Sequence, residues 1–101
     1  FSDVSRVNYF YGDEGEITVY QNSPNPFSNT TTIEFTLPVR RSVKIEIYNA
    51  RVEEVKKITI EDTKSGRNKF VFDGSELQPG VYFYRFIAGS FVEVKKMVIS
   101  R

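Results

Sequence analysis

Apolar and polar residues alternate strictly along two neighbouring stretches of the chain, residues 30–37 and residues 42–48. The apolar positions of the first stretch are Ile33, Phe35 and Leu37, and those of the second are Val43, Ile45 and Ile47. Successive side chains of a β-strand point to opposite faces, so each stretch predicts a strand with one buried and one wet face. This alternation is typical of antiparallel sheet.

The clearest local pattern is a hairpin with strands over residues 81–88 and 91–100, joined by Gly89 and Ser90. A two-residue loop that begins with Gly suits a type II′ turn, whose twist matches the strands. The turn predicts a register in which the numbers of facing residues sum to 179. One face of the hairpin then carries Tyr82, Tyr84 and Phe86. The other face is also largely apolar, with Val81, Phe83, Ile87, Val92, Val94 and Val98 interrupted by Arg85 and Lys96.

Tyr82 indicates which of these faces is buried. It follows a turn at residues 77–80 and stands near the start of a strand, where immunoglobulin-like domains have a tyrosine corner. In that feature the hydroxyl bonds back to the upstream backbone. We therefore expect Tyr82, Tyr84 and Phe86 to line the core, with the hydroxyl of Tyr82 bonded near Leu77.

The remaining segments complete an all-β pattern. Residues 17–20 predict a first strand, which ends at Pro24 and Pro26 because each proline removes a ladder donor. Residues 52–61 predict a bulged strand rather than a helical turn, residues 62–67 a polar turn, and Phe70 with Phe72 a short strand. About seven short strands predict an immunoglobulin-like antiparallel β-sandwich.

Composition agrees with this fold and removes several classes of function. The chain has nine Phe and six Tyr but only two Ala and two Leu, a bias towards sheet. It has no Cys and no His, so we predict no zinc site, no cofactor and no Ser-His-Asp triad. A net charge of +1 predicts no nucleic-acid partner. The first residue is Phe1 rather than Met, and we interpret the chain as a piece of a longer protein.

Five motifs in order resemble one family. They are Tyr20-Gln21-Asn22-Ser23-Pro24-Asn25-Pro26-Phe27, Thr31-Thr32-Ile33-Glu34-Phe35-Thr36-Leu37-Pro38, Val43-Lys44-Ile45-Glu46-Ile47-Tyr48-Asn49, Gly80-Val81-Tyr82-Phe83-Tyr84-Arg85-Phe86 and Lys95-Lys96-Met97-Val98-Ile99. The chain resembles the type A C-terminal sorting domains of the bacterial type IX secretion system. The turn after Asn49 departs from that family, which usually has a Gly a few residues after this strand, near the place of Val52 in this chain. A turn that needs positive φ there would suit Val52 poorly.

The resemblance implies a non-catalytic domain that directs a larger cargo across the outer membrane of a Gram-negative bacterium, to be secreted or held at the cell surface. It implies two partners, the outer-membrane secretion machinery and an upstream cargo domain in the same chain. We expect residues 17–101 to form the domain and residues 1–16 to be a linker, with processing near residues 13–16.

The second apolar face of the hairpin needs a partner or a cover, because six large apolar residues exceed what a monomer usually exposes. The alternatives are coverage by residues 1–16, a bulge that rotates part of the last strand inward, and a partner surface for the secretion machinery or, in weak self-association, for a second copy of the domain. The resemblance puts the signal at the C-terminal end, so the candidate recognition residues are Phe83, Arg85, Val94, Lys95, Lys96, Met97 and Val98. Pro24, Asn25, Pro26, Phe27, Gly80 and Tyr82 are family motif residues, and we interpret the proline run as a stiff crossover plugged by Phe27.

Other functions have weaker support. An accessory carbohydrate- or protein-binding module of a surface enzyme could stack sugars on Tyr9, Phe10, Tyr11 and Tyr48, but the chain has no Trp. A flagellar hook-capping immunoglobulin-like domain shares the proline-rich start. The acidic residues Asp13, Glu14 and Glu16 match no calcium loop, and residues 73–76 indicate a turn rather than a metal site.

Overall fold

Seven strands form two antiparallel sheets in the computed structural model, which describes residues 16–101. They are β1 (Thr18–Val19), β2 (Thr30–Leu37), β3 (Val43–Asn49), β4 (Glu54–Ile60), β5 (Gly66–Asp73), β6 (Gly80–Ala88) and β7 (Phe91–Ile99). The strand order is β1-β2-β5 in one sheet and β4-β3-β6-β7 in the other. The predicted all-β, immunoglobulin-like antiparallel sandwich of about seven strands is confirmed. In this part of the chain there is no helix able to cross a bilayer.

The core lies between the sheets and uses the alternating positions that the sequence predicts. The inward residues of β2 and β3 are almost completely buried, as are Tyr82, Tyr84 and Phe86 of β6. Phe35 and Phe86 meet across the two sheets with ring centroids 5.0 Å apart. The face of the last hairpin that carries Tyr82 is therefore the core face, as predicted.

The last hairpin also has the predicted register, with Tyr82 facing Met97, Phe86 facing Glu93 and Ala88 facing Phe91. Gly89 has a φ of 62°. A positive φ at the first loop residue is what a type II′ turn requires, and only Gly adopts it readily. The guanidinium of Arg41 packs directly where a Cβ at residue 89 would lie.

Two segments differ in detail from the prediction. Strand β5 begins at Gly66 rather than near Phe70, because β2 offers ladder partners as far as Leu37, which faces Gly66. Polar residues therefore continue the strand, and the buried side chain of Asn68 bonds to the backbone of Lys64. In β4, Ile47 faces Lys56 and Tyr48 faces Glu54, so Val55 is the extra residue of a β-bulge. The bulged strand over residues 52–61 is thus confirmed, with a later start.

The turn between β3 and β4 has an unusual occupant. The amide of Val52 donates to the carbonyl of Asn49 (2.9 Å), and the amide of Asn49 donates to the carbonyl of Glu53 (3.0 Å). These bonds define a three-residue hairpin loop whose last residue adopts the left-handed conformation. Val52 has a φ of 65° and is the one non-glycine residue with positive φ among residues 16–101. The turn therefore has, at its last residue, the left-handed conformation that favours Gly, and Val52 occupies that position.

Candidate recognition face and its scaffold

The exposed face of the three-stranded sheet is mainly polar, and one carboxylate pairs with two cations on it. It carries Thr32, Glu34 and Thr36 from β2 opposite β5. The carboxylate of Glu34 contacts the guanidinium of Arg67 at 3.1 Å and the ammonium of Lys69 at 3.7 Å. The hydrogen bond from Arg67 and the nearby positive charges hold the pKa of Glu34 below its ordinary value. This face therefore has the character of an ordinary solvated surface.

The exposed face of the four-stranded sheet is different. Two neighbouring strands bring six apolar side chains together there, because Val81 faces Val98 and Ile87 faces Val92 in the β6–β7 ladder. The six residues, which we call the apolar stripe, are Val81, Phe83, Ile87, Val92, Val94 and Val98. Val94 is 56% exposed and Val92 is 46% exposed. Large apolar side chains grouped this way mark interaction surfaces more often than solvated ones.

Charged groups stand within and beside the stripe. Arg85 faces Val94, and Lys96 faces Phe83, so a cation interrupts each strand. The guanidinium of Arg85 lies 3.6 Å from a carboxylate oxygen of Glu46, which also accepts a 2.8 Å hydrogen bond from the hydroxyl of Tyr48. This hydrogen bond, with some loss of hydration, raises the pKa of Tyr48 above its ordinary value. The hydroxyl of Tyr48 is therefore tied to the sheet.

A shallow depression of about 470 Å³ lies on this face. Its lining residues are Tyr48, Val52, Phe83, Arg85 and Val94. The walls are mainly apolar and one guanidinium stands at the side. Such a site can receive an apolar side chain of a partner while a neighbouring carboxylate meets Arg85.

The structure divides the candidate recognition residues between two faces. Phe83, Arg85, Val94, Lys96 and Val98 share the exposed face with the stripe. Met97 is fully buried in the core, so it cannot contact a partner of the folded domain. Lys95 also points to the core side, where its ammonium pairs with Glu93 at 3.1 Å. The sequence suggests a joint role for Lys95 and Lys96, but consecutive residues of a strand point in opposite directions.

Tyr48 and Val52 belong to the depression and were missed as members of this surface by sequence reasoning. Their position depends on the pairing of β3 with β6, in which Tyr48 faces Phe83. The alternation of apolar and polar residues shows only which side of a strand is exposed to solvent. It does not show which strands are neighbours in a sheet.

The proline run is a scaffold that connects the two sheets. Ser23 pairs with Thr32 in one sheet, and Phe27 pairs with Ile99 beside the other. Pro24, Asn25 and Pro26 are exposed, whereas the side chain of Phe27 is 3% exposed and packs edge-on against Phe72. The predicted crossover plugged by Phe27 is confirmed.

A buried polar network holds this crossover in place, and sequence reasoning missed it. The amide of Asn22 donates to the hydroxyl of Tyr84 (3.1 Å), which donates in turn to the carbonyl of Tyr20 (3.1 Å). The side-chain amide of Asn22 donates to Thr31 Oγ1 (3.0 Å) and to the carbonyl of Pro24 (3.2 Å). Burial raises the pKa of Tyr84 to about 12. A Tyr of β6 thus anchors the motif from the opposite sheet.

The last residue is held by its side chain. The guanidinium of Arg101 donates to the carbonyls of Ser28 (3.0 Å), Leu77 (2.7 and 3.0 Å), Gly74 (2.9 Å) and Ser75 (3.3 Å). We call this group of carbonyl oxygens the arginine cradle. It connects the end of β7 to the loops that follow the proline run and β5.

Chemistry that needs clustered ligands has no support in the described part of the chain. Residues 16–101 contain no group of three or more carboxylate, His or Cys side chains that could hold a metal. Asp73 accepts a hydrogen bond from the amide of Ser75 (3.0 Å), which lowers its pKa and confirms a turn at residues 73–76. Tyr9, Phe10, Tyr11, Asp13 and Glu14 lie outside the described residues, as does nearly all of the predicted linker.

Comparison with protein families identifies the family of this chain. Residues 18–100 match the model of the secretion system C-terminal sorting domain family. The match spans all seven strands and both sheets. No curated protein matches the chain.

Proposed function

The chain belongs to the family of secretion system C-terminal sorting domains, and from this membership we propose that the secretion machinery binds the exposed face of its four-stranded sheet. The domain is a sorting signal of type IX secretion, and the family match does not favour an accessory sugar-binding or hook-capping module. Its cargo is secreted or displayed at the cell surface. We further propose that the domain is non-catalytic and that it acts at the outer membrane of a Gram-negative bacterium.

One contrast carries the proposal, the difference between the two exposed sheet faces. The face of the three-stranded sheet is mainly polar, with Val71 as an exposed apolar residue, and Glu34 pairs with Arg67 and Lys69 there. The face of the four-stranded sheet instead carries the apolar stripe, the depression of about 470 Å³ and the cation Arg85. A sorting domain needs a surface that a protein partner recognises, and buried apolar anchors with Arg at the side give most of the energy at such interfaces.

Within this proposal every predicted residue except Lys95 has a defined part. Phe83, Val94 and Val98 would contribute apolar contact, and Arg85 with Lys96 would pair with carboxylates of the machinery. Pro24, Asn25, Pro26, Phe27, Gly80, Tyr82 and Met97 would act through folding. Residues 1–16 would link residues 17–101 to the cargo, and cleavage near residues 13–16 stays a prediction.

An export assay with matched variants tests this assignment. The chain is fused to the C-terminus of a periplasmic reporter in a bacterium that has the type IX machinery. The double substitution Phe83→Ser with Val94→Ser removes apolar area from the stripe, so we expect surface reporter to fall about tenfold or more. Val71→Ser is the matched control, because Val71 is 62% exposed and points outward from the other sheet.

The purified variants separate recognition from folding. Both should keep the circular dichroism spectrum and a cooperative melting transition, because all three positions are on exposed faces. Full export of the folded double variant would contradict the proposal, and so would an equal loss in the Val71→Ser control. Deletion of residues 95–101 is a poorer test, because it removes the core residues Met97 and Ile99 together with the surface.

A further inference from the structure

One edge of the four-stranded sheet is only partly covered. Strand β7 forms that edge, and its outward backbone groups are identified by their bonds to the proline run. Gln21 donates to the carbonyl of Lys96 (2.7 Å), and the amide of Val98 donates to the side chain of Asn25 (2.9 Å). Further along, the amide of Phe27 donates to the carbonyl of Val98 (3.0 Å). The even-numbered residues of β7 therefore point their amides and carbonyls outward.

By the same alternation Val92 and Val94 point their backbone groups outward, and the proline run does not reach them. The first outward group of β7 that bonds to another segment is the carbonyl of Lys96. Within residues 16–101 the outward amides and carbonyls of Val92 and Val94 have no hydrogen-bond partner. A strand edge of this kind is a template for another strand. The adjoining exposed side chains are those of the apolar stripe.

We propose that a second copy of this chain pairs with the open edge, antiparallel, with Val94 facing Val94 of the copy. The outward amides and carbonyls of the two β7 strands can bond to each other only if even-numbered residues of one copy face even-numbered residues of the other. That condition leaves a small set of registers that differ by shifts of the copy along the edge. The pairing uses the backbone edge of β7, whereas the surface assigned to the secretion machinery consists of side chains on the sheet face, and Val94 belongs to both.

Charge selects among these registers. When Val94 faces its own counterpart, Glu93 faces Lys95 of the copy, and the symmetric pair occurs a second time. A shift one step in either direction places two Glu93 side chains or two Lys95 side chains opposite each other. Opposite charges across an antiparallel pair stabilise it, and like charges destabilise it. Both side chains lie at the edge, and within one chain they already approach to 3.1 Å.

The selected register also satisfies the backbone. Val94 would exchange two hydrogen bonds with its counterpart, and Val92 would exchange two with Lys96 of the copy at each end. The carbonyl of Lys96 can accept from the copy and keep its bond to Gln21, because a carbonyl oxygen has two lone pairs. The two sheets would join into one, and the apolar stripes of both copies would become neighbours.

Charge reversal in the full chain tests the pairing, with analytical ultracentrifugation as the measurement. Glu93→Lys and Lys95→Glu each create two like-charge pairs, so each variant alone should dimerise at least about tenfold more weakly than the unmodified chain. An equal mixture of the two variants restores opposite charges at both pairs, so it should dimerise again. Lys44→Glu changes the net charge as Lys95→Glu does, lies on β3, and should leave dimerisation unchanged.

A cysteine scan tests the register itself, because the natural chain has no Cys. Facing residues of a hydrogen-bonded antiparallel pair have Cα atoms about 5.5 Å apart, within the range of a disulfide. Under mild oxidation Val94→Cys should therefore cross-link into a dimer at least about tenfold faster than Val92→Cys, whose counterpart would be Lys96.

Three results would overturn the proposal. The first is an unmodified chain that stays monomeric up to millimolar concentration. The second is a mixture of the two charge variants that dimerises no better than either alone. The third is slow hydrogen exchange of the amides of Val92 and Val94 at a rate that does not depend on protein concentration. That result would mean that residues 1–15 of the same chain cover the edge. If a dimer forms but Val92→Cys cross-links as fast as Val94→Cys, the register is wrong.

Discussion

The hydroxyl of Tyr82 donates a 2.7 Å hydrogen bond to the carbonyl of Gln78, four residues before it in the chain. Its ring is buried in the core and its hydroxyl ties the start of β6 to the preceding turn. The predicted tyrosine corner is therefore present. We expect Tyr82→Phe to lower the free energy of unfolding by about 1 kcal/mol, because one hydrogen bond is lost and the packing is kept.

Tyr82→Ala should cost much more, about 3–5 kcal/mol, because it also leaves a cavity in the core. Urea denaturation of both variants measures the two values. Equal losses for Phe and Ala would mean that the ring contributes no packing energy, and an unchanged melting temperature for Tyr82→Ala would show that the corner does not support the fold.

Replacing Val52 with Gly should stabilise the domain. Val52 is 73% exposed, so its side chain gains little from burial, while its φ of 65° is strained for a β-branched residue. Relief of that strain is worth about 1 kcal/mol or somewhat more, and the greater freedom of Gly in the unfolded chain subtracts from it. We expect a net gain of about 0.5–1 kcal/mol in urea denaturation.

Val71→Gly is the matched control for that substitution. Val71 is similarly exposed but lies inside β5, with ordinary strand geometry, so Gly there should destabilise the domain. A loss of stability in both variants would show that the turn does not strain Val52. Because Val52 also lines the depression, Val52→Asn offers a second way to accommodate positive φ with a side chain in place.

The sequence predicts whatever follows from alternation and from turn chemistry. The β6–β7 register follows from Gly89 and Ser90, and the buried side of β2 follows from Ile33, Phe35 and Leu37. The pairing of Tyr48 with Phe83 does not follow, because neighbours in a sheet are fixed by tertiary packing rather than by local pattern. Of the candidate recognition residues, Phe83, Arg85 and Val94 lie on the exposed face, whereas Met97 lies in the core, where the alternation of β7 itself places it.

Arg101 should stabilise the domain through the arginine cradle. Its guanidinium makes five hydrogen bonds to four backbone carbonyls. Arg101→Lys keeps the charge but has a single ammonium, which cannot reproduce a planar fork of donors. We expect Arg101→Ala to lower the melting temperature by about 4–8 °C, the shift that 1 kcal/mol produces in a domain of this size.

The Lys variant separates geometry from charge in the cradle. If the fork of donors matters, Arg101→Lys should recover less than half of the melting temperature lost in Arg101→Ala. Full recovery by Lys would show that only a positive charge near the carbonyls is needed. Arg51→Ala is a suitable control, because Arg51 is an exposed cation in the β3–β4 turn and its substitution should change little.

The hydroxyl of Tyr84 should make the domain lose stability in strong base. Burial raises the pKa of Tyr84 to about 12 in the folded domain, against about 10 in the unfolded chain. Between these two pH values the unfolded chain has lost the proton and the folded domain has kept it, so the free energy of unfolding falls as pH rises. The contribution is complete below about pH 10 and is lost by about pH 12, a change of roughly 2–3 kcal/mol.

Tyr84→Phe is the control, because every other titrating group is common to both proteins. At pH 8 the variant should be less stable by about 1–3 kcal/mol, because the amide of Asn22 and the carbonyl of Tyr20 lose their partner. Urea denaturation at a series of pH values should show this difference shrinking above pH 10 and vanishing or reversing near pH 12. If the difference in free energy of unfolding between the two proteins stays constant over that range, folding does not raise the pKa of Tyr84.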